Sequence, residues 1–580
     1  MVPLSELEKS VSGSRLKPAI FKFKKEFWFG FILLLVIITL TVVPVFLVVL
    51  GGLNVNGWKD GASFSFDAWK KVWFESEKTL KSIGYSLLLS VRAPIAVIVG
   101  FVLAWLIARV KIPGHSFIEF SLWLAFFLPT LPLTLGWILL ADPNNGLLNQ
   151  WLHALPFIPD TFQLFNIYSL SGILWIHLTL STVPIMVILL TPALRQFDSS
   201  YEEAALMNGA NPYRTMGRIT LPILMPAILT ALLAGFIRSM EAFEIEQLLG
   251  TPINIQVYST RIYDLLRWDP PQMPEAMALG TMVLIFLFIL ATVYQSLLRN
   301  QGYATITGKA VNFRPMVRTK WSYVASAICF LFIFIGVILP LALTFIGSFM
   351  KIFGFFQIDS PWTTSHWQKA FKDSTILRSV SNSIMVGLSV GLIGTVLYSL
   401  LAYTVIRTRL FGRNAISLLA WLPWTIPGIL LSMGFLTLFL ETPGLKLLYG
   451  SSFVLVVALI VKEMPLGMQM MRTSFQQISL DLEQAAYMSG ANWFRTFYKV
   501  MLPIVMPMFV SVFVIAFMST LRDISTTLLL ANPSIRTLPL LMMEFSMSGA
   551  REVASVIGVF ISVIALVVAM LARRIGIKLN

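Results

Sequence analysis

Charged residues close to or inside long apolar segments are the part of this sequence that could handle a solute. They cluster near residue 240 and again 281 residues later: Arg238, Glu241, Glu244 and Glu246, and then Arg522 and Asp523. Ionisable groups at membrane depth are costly and typically mark solute or ion pathways. Because Glu241 and Arg522 occupy equivalent places, we predict that they form a gate or cavity pair. The alternative is that these groups lie at the outer headgroup level and are solvated.

Lys462 and Glu463 form a second candidate pair, next to Pro465 within another apolar segment. A role in a solute pathway and a role in helix packing are both open for this pair. Two lone polar residues within apolar segments, Arg92 and His177, are better interpreted as packing or helix-end contacts than as solute ligands.

The remaining residue types indicate neither metal chemistry nor nucleotide chemistry. The single cysteine, Cys329, allows no intrachain disulfide, and the four histidines lack ligand spacing, so we expect no metal site. The segment from Gly302 to Ala310, GYATITGKA, only approximates a phosphate-binding loop. Five residues separate its glycines instead of four, and Ala310 replaces the magnesium-binding hydroxyl. With no nucleophile-and-base constellation either, we expect no catalytic residue and no cofactor in this chain.

The composition predicts an all-α polytopic membrane protein. Of the 580 residues, 57% are hydrophobic and only 12% are charged, and the mean hydropathy is +0.79. Soluble proteins carry about a quarter charged residues, and a run of about 20 apolar residues crosses the bilayer as a helix. We predict about twelve spans in two sets of six: 27–51, 82–108, 116–141, 169–194, 219–241, 276–298, 321–349, 381–406, 414–440, 452–472, 500–521 and 552–572.

Six spans in each half give two parallel repeats, since an even number of spans returns the chain to the same side. Basic residues concentrate in the tail at 1–26 and in the linker at 301–320, which contains no acidic residue. Basic loops stay in the cytoplasm, so we expect the linker and both termini there, with one half at 27–300 and the other at 321–580. The same rule explains the net charge of +15 without nucleic-acid binding.

The strongest internal repeat lies outside the predicted spans. Residues 202–226 read EEAALMNGANPYRTMGRITLPILMP and residues 483–507 read EQAAYMSGANWFRTFYKVMLPIVMP, which match at 14 of 25 positions. Gly209 favours the left-handed conformation that ends a helix. The Asn-Pro dipeptide that follows favours the start of a second helix. The pattern predicts a polar helix-turn-helix elbow near 198–222 and an equivalent one near 479–503.

These elbows resemble the EAA loop, the signature of the membrane subunits of ABC importers that work with a binding protein. In the first elbow the resemblance, with the neighbouring acid, lies in Glu202, Glu203, Ala204, Ala205, Gly209 and the run Ile219-x-Leu221-Pro222. The second elbow has Glu483, Gln484, Ala485, Ala486, Gly490 and Val500-x-Leu502-Pro503. It departs from the pattern at Gln484 and Val500, and Glu483 supplies a charge about 100° away around the helix.

The resemblance implies that both elbows are coupling helices seated on cytoplasmic ATPases. It thus implies two copies of an ABC ATPase that bind ATP and magnesium, a periplasmic or lipid-tethered binding protein, and the inner membrane of a bacterium. The layout is most similar to fused permeases of the iron(III) type, a group that also resembles permeases for thiamine, aminoethylphosphonate and polyamines. The alternatives are a secondary transporter driven by an ion gradient, a membrane-embedded enzyme, or elbows that are merely a duplicated structural bend.

Overall fold

The computed structural model describes residues 28, 30–54, 63–156, 159, 163–300, 320–408, 410 and 412–574. Within these residues, ten helices are long and apolar enough to cross a membrane. Two further helix pairs pass the same test together but are sharply bent. Each of the twelve predicted spans corresponds to one of these elements, which confirms the all-α polytopic fold.

The helices of the two halves follow each other in the same order. The first half contains α1 (Gly30–Gly51), α2 (Glu77–Arg109), α3 (His115–Phe127), α4 (Thr130–Ala141), α5 (Leu170–Gln196), α6 (Ser200–Met207), α7 (Tyr213–Met240), α8 (Tyr258–Arg267) and α9 (Met273–Asn300). The second half contains α10 (Lys320–Gly347), α11 (Ser374–Arg407), α12 (Arg413–Thr425), α13 (Gly428–Glu441), α14 (Ser452–Gln477), α15 (Leu480–Met488), α16 (Phe497–Arg522), α17 (Leu538–Met547) and α18 (Arg551–Arg574). Short helices at Asp67–Lys70, Leu147–His153 and Ser365–Lys372 lie in the connections.

The third span of each half is broken into two helices. The bend between α3 and α4 is 100°, and the bend between α12 and α13 is 113°. Both breaks occur at a proline, because the residue before a proline is driven out of the helical conformation. Leu128, which precedes Pro129, is extended with a ψ of 137°, and Ile426, which precedes Pro427, has a ψ of 112°. A proline thus accounts for each of the two bends.

The broken pair of the first half still connects opposite ends of the bundle. At the start of α3, Glu119 lies 3.1 Å from Arg195, near the end of α5 and just before the first elbow. At the end of α4, the carbonyl of Ala141 accepts a 3.0 Å hydrogen bond from the N–H of Ile167, just before α5 begins. The pair therefore counts as one crossing. We name the end of the bundle that carries α6 and α15 the elbow face.

The first helix of each half packs against the broken span of the other half. A Cβ on Gly136 of α4 would lie 1.9 Å from the carbonyl oxygen of Pro340 in α10, and a Cβ on Gly434 of α13 would lie 2.5 Å from that of Pro44 in α1. Small residues at helix interfaces in membranes allow this close backbone approach. The two halves are thus interlocked by an exchange of helices.

Two equivalent serines fix the helices that follow α7 and α16. The hydroxyl of Ser86 in α2 accepts a 2.9 Å hydrogen bond from the N–H of Tyr258, the first residue of α8. The hydroxyl of Ser383 in α11 accepts a 2.7 Å bond from the N–H of Leu538, the first residue of α17. Since buried helix ends need partners for their free N–H groups, these contacts position the loops between the fifth and sixth spans.

Candidate translocation cavity and coupling elbows

A polar cavity of about 160 Å³ lies between the halves, at the ends of α7 and α16. The helix from Leu221 to Met240 has 20 residues, so the cavity lies about 30 Å from the elbow face. Both halves contribute charged groups to its wall: Arg92, Arg238, Glu241, Glu244, Lys462, Arg522 and Asp523. Five of the six residues predicted to line a pathway therefore meet at one place.

The predicted direct pair between Glu241 and Arg522 is absent from this conformation. The Glu241 carboxylate instead lies 3.5 Å from the guanidinium of Arg238, one helical turn earlier in the same segment. The guanidinium of Arg522 donates to the backbone carbonyl of Phe126 in α3 and lies 4.7 Å from the centre of its ring. Each group has found a nearer partner, so the geometry of that prediction is wrong, and a role for either residue in transport stays a prediction.

Lys462 reaches the cavity from α14 and contacts the carboxylate of Asp523. It also lies 3.3 Å from the hydroxyl of Ser525. Asp523 in turn accepts a 2.9 Å hydrogen bond from the N–H of Thr526, which holds the loop after α16. Glu463 is outside the cavity wall and accepts a 2.7 Å bond from Ser519 of α16. The pair predicted from the sequence is therefore divided between the cavity and the helix interface.

A buried ionic triad supports the cavity on the side of the first half. The Glu246 carboxylate lies 2.8 Å from Nε2 of His177 and 3.3 Å from Nη1 of Arg92. Arg92 also donates a 2.8 Å hydrogen bond to the carbonyl of Ser239. The Arg92 and Glu246 side chains are 1% and 0% exposed. The triad ties α2 and α5 to the loop that carries Glu241. Arg92 and His177, for which a packing role was expected, also line the cavity.

This triad was not predictable from the sequence, because its members come from three separate segments. The second half has no equivalent. At an offset of 281 residues, Ala458 replaces His177 and Thr527 replaces Glu246, and no charged residue lies between Ser383 and Arg407 in α11. Only the spatial arrangement shows that these three groups act together.

Both elbows have the predicted helix-turn-helix form. Gly209 and Gly490 have a φ of +81° and end α6 and α15, as their left-handed conformation requires. The side chain of Asn211 then accepts a 2.7 Å hydrogen bond from the N–H of Arg214. Asn492 does the same for Arg495 at 2.8 Å. These caps start the second arm of each elbow, as predicted.

The elbows lie together on one face and leave much of their surface uncovered. The hydroxyl of Ser326, near the start of α10, donates a 2.8 Å hydrogen bond to the carbonyl of Pro113, at the start of the first half's broken span. This contact places the starts of the second half and of α3 at the same face. On the elbows, Met207 and Met488 are 89% and 88% exposed at equivalent positions. Also exposed are Glu203, Ala204, Gly209, Gln484, Ala485 and Gly490.

Glu202 and Glu483 do not belong to this exposed surface, contrary to the prediction that they dock a partner. They lie about 100° around the helix from Glu203 and Gln484 and face the bundle, where each forms an ion pair with an arginine. Glu483 therefore does not replace the acid missing at Gln484. Partial burial and the charge of Glu483 also raise the pKa of the Tyr487 phenol.

Comparison with known proteins assigns the class. Residues 96–303 and 390–577 each match the family described as binding-protein-dependent transport system inner membrane component. The two matches cover more than half of the chain and fall one in each half. The chain belongs to this family, and it carries the family's domain twice, as a fused two-half permease. It is a multi-pass membrane protein of the inner membrane type.

Several curated relatives narrow the comparison. The ferric transport system permease protein FbpB of Actinobacillus pleuropneumoniae is 25% identical over 410 residues, which are 69% of this chain and 58% of that protein. This chain thus spans less than two thirds of that relative. The probable ABC transporter permease protein y4fN of Sinorhizobium fredii is 24% identical and matched over 95% of this chain and 96% of its own length. The sulfate transport system permease protein CysT of Escherichia coli is 26% identical over 32% of this chain.

Proposed function

We propose that this chain is the permease of an ATP-driven importer in a bacterial inner membrane, with both halves of the pore supplied by one polypeptide. The observation that carries the proposal is the pair of equivalent elbows at one face of the bundle. Their exposed methionines and left-handed glycines occur at matching positions in both halves. A transporter driven by an ion gradient has no need of two such surfaces.

Two copies of a cytoplasmic ABC ATPase would dock on these elbows, one on each. ATP and magnesium would bind to the ATPases, since the sequence offers only the imperfect glycine segment near residue 302 as a phosphate loop, and that segment lies outside the described residues. Closure of the ATPase pair would move the two elbows relative to each other. ATP can shift the permease between its states only by as much as it binds one state better than the other.

A periplasmic or lipid-tethered binding protein would deliver the solute to the face opposite the elbows. This orientation places the elbows, the basic linker and both termini in the cytoplasm, in agreement with the positive-inside rule. The solute would pass through the cavity between the halves, where Arg238, Glu241, Lys462 and Asp523 line the wall.

The substrate that the comparisons favour is iron(III). Ferric permeases of Actinobacillus pleuropneumoniae and Haemophilus influenzae are among the relatives with the longest matches, whereas the sulfate permeases match about a third of the chain. The cavity wall carries three acidic residues and four basic ones, with Arg92 among the latter, so its charge does not single out iron(III). Thiamine, aminoethylphosphonate and polyamines are the alternatives for the same machinery.

The proposal is tested by reconstituting the chain in vesicles with its ATPase and its iron-loaded binding protein. We expect uptake of radioactive iron(III) that requires ATP and both partners. A variant carrying Gly209→Phe and Gly490→Phe should lose ATPase binding in co-purification, because a bulky residue at positive φ is strained and blocks the turn. Gly217→Tyr is the matched control, since the second elbow has Tyr498 at that position.

One result would overturn the proposal, and another would change only its substrate. Uptake by the chain alone, driven by an ion gradient and indifferent to nucleotide, would establish a secondary transporter. Uptake of sulfate or of an organic solute in place of iron(III), still dependent on ATP, would keep the importer and correct its substrate.

A further inference from the structure

Two buried arginines attach the elbows to the membrane helices in the same way. Arg109 is the last residue of α2 and Arg407 is the last residue of α11, and each precedes a left-handed glycine by five residues. Arg109 donates a 2.9 Å hydrogen bond to the carbonyl of Phe197. Arg407 donates a 2.5 Å bond to the carbonyl of Ile478, which lies 281 residues after Phe197. Both carbonyls lie in the short connection between a long span and its elbow.

Each of these arginines also faces the inward carboxylate of its elbow. The guanidinium of Arg109 lies 3.9 Å from Glu202, and that of Arg407 lies 3.2 Å from Glu483. The two arginine side chains are only 2% and 4% exposed. Because equivalent arginines, carbonyls and carboxylates make this contact in both halves, the contact is a repeated feature of the fold and not a chance arrangement.

The energetics make this contact persistent. An arginine buried at this depth cannot lose its carboxylate without leaving an uncompensated charge, which is far more costly than the loss of a surface ion pair. An elbow that moves must therefore take the end of its arginine-bearing helix with it. The contact joins the elbow to α2 in the first half and to α11 in the second, neither of which is adjacent to the elbow in sequence.

The two contacts differ in how many bonds hold the carboxylate. Glu202 accepts an additional 2.8 Å hydrogen bond from the hydroxyl of Thr220, at the start of the fifth span. The equivalent residue in the second half is Met501, which has no hydroxyl. The second elbow thus depends more heavily on its arginine than the first.

We propose that Arg109 and Arg407 are positioning residues that transmit motion of the elbows to the second span of each half, with Arg407 the more critical of the two. This inference rests on the proposed function, since it assumes that a partner moves the elbows. The exposed surface of the elbow receives the partner. The inward Glu202 and Glu483, together with the arginines, carry the displacement into the membrane.

The test compares Arg407→Gln, Glu483→Gln and Arg109→Gln in the reconstituted complex with ATPase and binding protein. Three quantities are measured: ATPase bound to the permease, ATP hydrolysed, and solute taken up per ATP. The control for the arginines is Arg413→Gln, because exposed Arg413 lies at the same face and donates to a backbone carbonyl without an ion pair. The control for the carboxylate is Asp481→Asn, an exposed acid on the same helix as Glu483.

We expect Arg407→Gln to retain ATPase binding and ATP hydrolysis while uptake per ATP falls about tenfold, within the range of roughly 5- to 150-fold that coupling between sites typically spans. Arg109→Gln should show a smaller fall, because Thr220 still holds Glu202. Arg407→Lys should recover part of the loss, since an ammonium can serve both a carbonyl and the carboxylate. The two controls should match the wild type.

Other outcomes refute the inference separately from the proposed function. If Arg407→Gln binds ATPase and keeps the wild-type uptake per ATP, the positioning role is wrong and the importer stands. If uptake and hydrolysis fall in parallel with the amount of folded complex, the arginine is merely structural. If the ATPase does not bind the wild-type chain, the proposed function itself fails.

Discussion

The buried triad of Arg92, His177 and Glu246 gives the sharpest stability prediction. Replacing Glu246 by Gln removes the only carboxylate that the described residues offer to Arg92, whose side chain is 1% exposed. Breaking a buried ion pair from one side costs about 3–5 kcal/mol, because the other charge stays buried and uncompensated. We therefore expect Glu246→Gln to lower the free energy of unfolding by that amount, and Arg92→Met to lower it by less, because His177 still contacts Glu246.

The double variant carrying Arg92→Met and Glu246→Gln should be closer to the wild type than either single variant. Replacing both charges by uncharged residues of similar volume is often neutral, and the second half already has Ala458 and Thr527 in place of His177 and Glu246. Because the double variant should cost less than either single variant, the coupling energy between the two changes should be at least about 3 kcal/mol. Lys462 and Asp523, which form a separate pair, stay unchanged.

The assay is unfolding of the purified chain in mixed detergent micelles, followed by tryptophan fluorescence. The wild type, the two single variants and the double variant form one thermodynamic cycle. Surface Arg378→Met is the control for the loss of a charge alone, since Arg378 is exposed. If both single variants unfold within about 1 kcal/mol of the wild type, or if the effects simply add, the triad is not a buried ionic network in the membrane.

Three further predictions concern packing, gating and docking. Gly136→Val and Gly434→Val should each overpack the helix interface at a cost of about 1–3 kcal/mol, and so lower the yield of monodisperse protein in size-exclusion chromatography. Gly84→Val should not, because nothing lies within 4 Å of its Cβ position. Normal yields for all three variants would contradict the helix exchange. Exchanging Arg238 and Glu241 should restore more of the vesicle uptake lost in the single variants than exchanging Glu241 and Arg522, because Glu241 lies 3.5 Å from Arg238. Better recovery from the second exchange would support a gate between Glu241 and Arg522 that forms in another state. Glu203→Gln should weaken ATPase binding by about two- to fivefold, as expected for the loss of an exposed ion pair. Gln484→Glu should not weaken it. If Gln484→Glu weakens binding more than Glu203→Gln does, the two elbows contact their partners differently.

The spans and elbows were predictable because their signals are local. An apolar run of sufficient length, a left-handed glycine such as Gly209 and a capping residue such as Asn211 each act within a few residues. The break between α3 and α4 is local in the same sense, because Pro129 alone drives Leu128 out of the helical conformation. The family resemblance rested on such local residues as well, and the family match confirms it.

The partners of the charged residues were not predictable, because they depend on which helices meet. Offset arithmetic identified Glu241 and Arg522 as equivalent residues, and both line one cavity, yet it could not show that Arg238 or the carbonyl of Phe126 is nearer. The sequence also could not show which of Glu202 and Glu203 faces the bundle, only that they lie at different angles around the helix. The side that each carboxylate faces depends on Arg109, which lies more than 90 residues earlier in the chain.

The exchange of first helices has a consequence for how the chain is made. Gly136 is synthesised about 200 residues before Pro340, the residue against which it packs. At a ribosomal rate of about 5–20 residues per second, this leaves an interval of roughly 10–40 seconds. During that interval the backbone of α4 at Gly136 is exposed to lipid or to an insertion factor. During biogenesis the first half must therefore stay incompletely packed in the membrane until α10 is synthesised and packs against α4.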